Sequence, residues 1–377
     1  MRTERADIVI IGGGIAGAAA GFALAPQRRV VLLERESQPG YHSTGRSAAL
    51  FTEAYGNRTI RALTKASRAF FTAPPAGFAE HPLLTPRGTM IIGRADQREA
   101  VDRSFEEAHA LVPSVRRLTP DEALRLVPAL RVDYIAAAYI EPEAMDIDVH
   151  AVHRGYLRGI AAHGGRIVTD AEVTELAREG SQWRVRSRAG AFAADVVVNA
   201  AGAWCDEVAK LAGIAPIGLV PKRRTAITFD MPDPKAIHRW PSVISVDEQF
   251  YFKPDAGRML ASPADETPMP PCDVQPEELD IAVLIDRLER ATTLHVGRPA
   301  SKWAGLRSFV FDKTLVAGFD ESAPGFFWLS GQGGYGIQTS PAMARVTAAL
   351  IAGRGIPGDL ADSGLTEAIL APARCRA

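Results

Sequence analysis

The sequence predicts a doubly wound α/β fold interleaved with a smaller α+β part built on an antiparallel sheet. Three observations lead there. A β-branched run, residues 7–11, ends directly in Gly12-Gly13-Gly14-Ile15-Ala16-Gly17, and after one short small-residue helix a second apolar run follows at 30–33. A further buried-strand pattern, 195–199, meets the small-residue turn Ala200-Ala201-Gly202 in mid-chain. A glycine-dense loop, 331–336, leads into a closing helix expected over 337–351. Segments of one kind thus occur at both ends of the chain and in its middle. Residues 1–84, 146–220 and 304–377 are therefore assigned to one domain, and 85–145 with 221–303 to a second.

The elements follow in order. Helices are expected over 58–71 and 97–111, and Thr119-Pro120-Asp121-Glu122 reads as a capping box opening a third. Asp148 is placed to cap a helix that Gly164-Gly165 stops at His163. Strands are expected at 166–168, 173–177 and 183–187. From Thr225 to Phe252 the pattern becomes one of short alternating strands between proline-rich turns, as in an antiparallel sheet. A helix then covers 277–290, and strands fall near 315–318 and 326–329.

Composition bounds the function. With 377 residues and about 150 per domain, two domains are expected. The 43 basic and 44 acidic side chains nearly cancel, which argues against a nucleic-acid partner. Cys205, Cys272 and Cys375 fit neither a disulfide framework nor a zinc site, so a reducing cytoplasmic compartment is expected, with peripheral membrane association compatible. The uncharged run 8–27 imitates a secretory leader, but its five glycines are better explained by a phosphate-binding turn. Elsewhere no uncharged apolar run approaches the roughly 20 residues that span a bilayer. His150 and His153 lie three apart without an accompanying acid or thiol pattern, so no metal site is assigned.

In the first βαβ unit, Gly12 supplies the tight turn, Gly14 the close approach of backbone to a pyrophosphate, and Gly17 the helix-on-strand contact. Glu34 ends the second strand at the offset of a carboxylate that accepts ribose hydroxyls. This unit alone serves NAD and FAD equally.

Downstream, Glu34 to Ala49 contains His42-Ser43-Thr44-Gly45-Arg46-Ser47-Ala48. Further motifs occur at 199–205, 221–224, 250–254, 303–309 and 333–340. In these the chain resembles the FAD-dependent D-amino acid oxidase superfamily, most of all its D-arginine dehydrogenase-like bacterial members. The resemblance implies noncovalent FAD. Beside Gly12, Gly14, Ala16, Gly17 and Glu34, it places Arg35, Ser43, Thr44, Arg46, Ser47 and Ala48 along the cofactor. It adds Val173, Ala201 and Gly202, and at the flavin edge Gly333, Gly334, Tyr335, Gly336, Ile337 and Gln338.

For the substrate, the resemblance assigns Arg224 and Arg307 to the carboxylate, Tyr251 to the same group, and Tyr55 to a loop over the pocket. Gly334 and Gln338 complete the site. A planar guanidinium suits a carboxylate in a way lysine does not. The implied reaction is oxidative deamination of a D-amino acid to an imino acid, which water hydrolyses to a 2-oxo acid and ammonia. Two departures bear on specificity: Thr89 stands where cation-selective relatives have an acid, and Leu50 where they have a histidine. A neutral, apolar substrate side chain is therefore expected, with Glu53 as the acid that would overturn this. A glycine- or sarcosine-type amine oxidase and a 2-hydroxy acid dehydrogenase stay open on the same fold, as does a non-catalytic flavin protein; a nicotinamide enzyme is disfavoured. The electron acceptor, whether quinone, carrier or oxygen, is left open.

Overall fold

The computed structural model describes residues 3–376. Its centre is a six-stranded sheet in the order Arg166–Val168, Val30–Leu33, Ile8–Ile11, Val196–Asn199, Phe326–Ser330, Val316–Phe319. The first five strands run parallel and the last antiparallel. Ile8, Val9, Ile10, Val30, Leu32, Val197 and Val198 are buried, because a parallel sheet covered on both faces leaves its strands no polar side. Helices Ile15–Leu24, Val149–Ala162 and Ser340–Ile351 cover one face. Helix Cys205–Leu211 and the sheet containing Val173–Glu179 and Gln182–Ser187 cover the other.

A second, nine-stranded sheet joins Val220–Phe229, Arg258–Ser262, Tyr251–Asp255, Ser242–Ser245, Thr89–Gly93 and Ala137–Glu141, with Ser301–Phe309 paired to the first of these. Ile281, Leu284 and Leu288 of helix Glu278–Ala291 pack on its Phe252, Met90 and Ile140 side. Period-two alternation sends Arg224, Tyr251, Thr89 and Glu141 to the opposite side.

Several expectations change here. The stretch expected as short strands from Thr225 opens with a ten-residue strand starting at Val220. Lys222-Arg223-Arg224 masks its apolar rhythm. The sheet is mixed and not purely antiparallel, since Ser242–Ser245 pairs parallel with Thr89–Gly93. The domain boundary expected at 303/304 falls inside strand Ser301–Phe309, whose Lys302 and Arg307 likewise hide it. The closing helix begins at Ser340 and not at Ile337, because the chain is still turning after Gly333 (φ +51°) and Pro341 sits in the first helical turn, where its missing N–H costs nothing.

The capping box forms as read: Glu122 N donates to Thr119 Oγ1 (3.2 Å) and Thr119 N to Glu122 Oε2 (2.8 Å). Thr119→Ala is expected to cost about 1 kcal/mol in chemical denaturation.

Candidate active site

A cavity of about 570 Å³ runs from the first βαβ turn to the second sheet. Its floor is the glycine turn. Gly12 has φ +107°, and a Cβ there would lie 2.3 Å from the Ala200 carbonyl oxygen. Gly14 is the N-cap of helix Ile15–Leu24, which has no side-chain cap and no acid in its first turn. Its amide donors are thus available to an anion. One is taken: Ile15 N donates to Thr44 Oγ1 at 2.9 Å. Gly17 does not line the cavity; a Cβ there would lie 1.9 Å from the Gly12 carbonyl oxygen, so it is the packing glycine behind the turn.

Glu34 ends its strand beside this floor and accepts from Gly13 N (2.8 Å) and Glu36 N (2.9 Å). Burial pushes its carboxyl above the usual range despite these two donors. His153 is buried, its Nε2 2.8 Å from the Gly13 carbonyl oxygen, so it braces the turn from below. Arg35 lies 4.9 Å over the Trp204 ring at the same end.

The far end carries the arginines. Arg224 stands opposite Gly305, and Arg307 opposite Lys222, on paired antiparallel strands. The two guanidiniums are therefore diagonal neighbours on one face. Arg224 is tied back: Nε donates to the Asp265 carbonyl oxygen (2.9 Å) and Nη2 to Glu266 Oε1 (3.2 Å). Burial and the Arg307 charge both lower its pKa. Arg307 differs. Burial opposes its charge, but the oxygens of Tyr55, Tyr251 and Tyr335 beside it outweigh that and hold its pKa above the ordinary value. Among the described residues no carboxylate lies within 4.0 Å of it; Glu266, the acid nearest in role, pairs with Lys222 (2.8 Å) and Arg224. Gly334 packs directly on this guanidinium, since a Cβ there would sit 2.8 Å from Nη1. Gly334→Ala is expected to displace Arg307 and raise KM about tenfold, with flavin content unchanged by absorbance.

The family model described as FAD dependent oxidoreductase (DAO) matches residues 7–350. The chain belongs to this family. Glycine oxidase from Geobacillus kaustophilus is 24% identical over 97% of this oxidoreductase and 98% of its own length. Rat mitochondrial dimethylglycine dehydrogenase is 27% identical over 69% of the oxidoreductase, a region that is 31% of the relative. Among solved structures, the G. kaustophilus glycine oxidase (TM-score 0.82, 23% identity, 97% and 99% coverage) and L-proline dehydrogenase from P. horikoshii (0.81, 22%, 93% and 94%) share the fold. These relatives carry the superfamily resemblance and not its D-arginine dehydrogenase branch.

The residues of this oxidoreductase fit FAD: an uncapped helix start for phosphate, the Gly12 turn that a Cβ would fill, and a buried acid at the ribose offset. Ala16, Arg35, Ser43, Ser47 and Ala48 line the cavity, with Val173, Ala201 and Gly202 on another side and Gly333, Gly336 and Ile337 on a third. Arg46 also lines it, but its guanidinium is committed to Asp273 (2.5 Å) and the Ala304 carbonyl oxygen (3.0 Å), where it fastens the segment.

Besides Gly17, five expected site residues stand off the cavity wall. Gln338 is buried and braces other elements: Oε1 accepts from Thr52 N (3.3 Å) and Nε2 donates to Thr64 Oγ1 (2.9 Å). Tyr335 is buried against Tyr55, ring centroids 5.1 Å apart, and both stand behind Arg307. Leu50 pairs with Asp146 in a short strand. Thr89 is buried opposite Glu141, its Oγ1 without a hydrogen-bond partner among the described residues.

Acids near these positions are all engaged. Glu53, the expected substitute acid, pairs with Arg68 at 2.7 Å. Asp146 pairs with Arg87 and Lys253, each at 2.7 Å. Glu141 corrects the expectation that no anion stands near Thr89, but its oxygens accept from Thr52 and Glu53. Sequence reading missed Glu141, Asp146 and Glu266. Strand alternation from Tyr139 would have placed Glu141 on the site side. Among the described residues no cluster of three or more ligating side chains is placed to hold a metal ion, and no helix is long and apolar enough to cross a membrane.

Proposed function

We propose that this oxidoreductase oxidises the amine of a small α-amino acid, glycine or an N-methylated glycine first, with small neutral D-amino acids as the second reading. The observation that carries it is Arg307: a cavity guanidinium ringed by phenol oxygens and lacking an acid. A substrate carboxylate completes that shell with a bidentate, charge-assisted contact. The glycine oxidase and dimethylglycine dehydrogenase relatives support the small-glycine reading over the D-amino acid one. The engaged acids Glu53, Asp146 and Glu141 support a neutral substrate, because a buried cationic side chain would lack a partner.

FAD, when bound, supplies the two-electron acceptor. This chain's residues bind and orient. Arg307 grips the carboxylate, Arg224 forms a fixed wall held by Glu266, and Tyr251 flanks both. The cavity's imidazole and acids, His42, Glu34, Glu172 and Glu207, belong to other segments, and the wall of Arg224, Tyr251, Arg307 and Gly334 offers no base, so the amine is expected to arrive unprotonated. Two neighbouring cations disfavour its ammonium form. We expect kcat/KM to rise with pH and level off at the free amine's pKa, and kcat to level off below it, because only the bound amine feels the two cations; a bell-shaped profile with a histidine-like limb would contradict this.

The deciding experiment is anaerobic mixing of the holoenzyme with glycine, sarcosine, D-alanine, D-arginine and glycolate. Bleaching of the flavin bands by glycine or sarcosine supports the proposal. Bleaching by glycolate alone assigns a hydroxy acid instead, and fastest bleaching by D-arginine removes the neutral-substrate reading.

A further inference from the structure

Residues 52–56 join strand Leu50–Phe51 to helix Arg58–Thr72, and Tyr55 sits among them. The far end of this segment is tied by Asn57, whose Oδ1 caps Ile60 N (3.0 Å) and whose Nδ2 donates to Thr314 Oγ1 (2.9 Å). The near end is tied from the second sheet. Glu141 is 3% exposed at the end of strand Ala137–Glu141, and it accepts from Thr52 Oγ1 (2.6 Å) and Glu53 N (2.9 Å). The next residue, Ala54, packs against the cluster that contains Tyr139 on the same sheet.

The chemistry of this contact is specific. Thr52 and Glu53 N both donate to a carboxyl whose oxygens accept, while burial pushes its pKa up, helped by the facing Glu53 charge. No cation lies within 4.0 Å of Glu141 among the described residues, and the charged group facing it, Glu53, is itself held by Arg68. A buried acid without a cation is costly as mere filler. The contact crosses from the sheet carrying Thr89 to the segment carrying Tyr55, whose hydroxyl faces Arg307 and whose ring rests on Tyr335.

We propose that Glu141 is a positioning residue that locks residues 52–54 to the second sheet and so holds the Tyr55 hydroxyl against Arg307, setting the enzyme's affinity for the substrate carboxylate. This rests on Arg307 being the carboxylate site.

The test is a double-mutant cycle on the holoenzyme, read by KM, kcat and a titration with acetate followed by the flavin absorbance change. Glu141→Gln is expected to raise KM and the acetate Kd about tenfold with kcat within about twofold, and to change them less than about twofold in a Tyr55→Phe background. Thr52→Val removes one of the two bonds and should give a smaller shift of the same kind, which Thr52→Ser restores. Effects of Glu141→Gln and Tyr55→Phe that simply add, or a Thr52→Val enzyme with unchanged KM and acetate Kd, overturn the proposal; the Thr52 pair decides the matter if the Glu141 variant does not retain flavin. Undiminished acetate binding by Arg307→Ala would instead remove the carboxylate assignment, independently of the cycle.

Discussion

Arg307→Ala is expected to lower kcat/KM for the amino-acid substrate by about 10²- to 10³-fold, while the purified protein keeps its flavin. The magnitude follows from what the substitution leaves behind: a desolvated carboxylate facing Tyr251 and the already paired Arg224, without the cation that balanced it. Arg307→Lys restores the charge but not the planar donor fork, so it should recover part of the loss. Arg224→Ala is expected to cost less. That guanidinium is already paired with Glu266 and the Asp265 carbonyl, so its interaction with substrate is shared with the protein. Steady-state kinetics on the three variants, beside flavin-to-protein absorbance ratios, rank them. An Arg224 variant worse than the Arg307 variant would contradict the assignment of Arg307 as the free cation.

Gly12→Ala is expected to yield protein without flavin. Two separate penalties fall on one atom. The backbone at Gly12 has φ +107°, which side chains rarely adopt, and the new Cβ would be driven to 2.3 Å from the Ala200 carbonyl oxygen, in the adjoining turn that also lines the cavity. Relief means moving either the phosphate turn or the Ala200-Ala201 turn that follows strand Val196–Asn199, and both carry cavity-lining residues. Gly180→Ala is the matched control: it also has positive φ (+62°) but meets nothing within 4 Å, so it should cost about 1 kcal/mol of stability and leave flavin content intact. Absorbance at the flavin bands and thermal melts separate the two effects. Normal flavin content in Gly12→Ala would remove the cradle assigned here.

The sites of these two predictions differ in how they could be read from the chain. Gly12, Gly14, Gly17 and Glu34 lie within one βαβ unit, where strand, turn and helix are contiguous and each glycine's role follows from local geometry. Only the division of labour needed coordinates, with Gly14 facing the cavity and Gly17 packing behind it. Arg224 and Arg307 are 83 positions apart (307 minus 224), and neither strand announces itself, because lysines and arginines interrupt the apolar alternation. They were named through motif resemblance. That they are diagonal neighbours, one tied back and one free, is a property of strand register.

The acids make the same point in reverse. Glu53 and Thr89 were weighed by position alone, and the structure shows why position was not enough: Glu53 is neutralised by Arg68, whereas Thr89 has a carboxylate directly across the ladder in Glu141. Gln338 likewise sits in a motif beside the flavin edge, yet its amide points to Thr52 and Thr64.

From its sequence by itself, this protein's doubly wound dinucleotide fold and the residues of its phosphate turn were determined, because hydrophobic periodicity and glycine stereochemistry act over a few neighbouring residues. Which charges remain free in the cavity was decided by the tertiary structure alone. Ion pairs such as Arg224 with Glu266 or Arg68 with Glu53 form between segments that only folding brings together, and electrostatic neutralisation depends on distance in space and not along the chain.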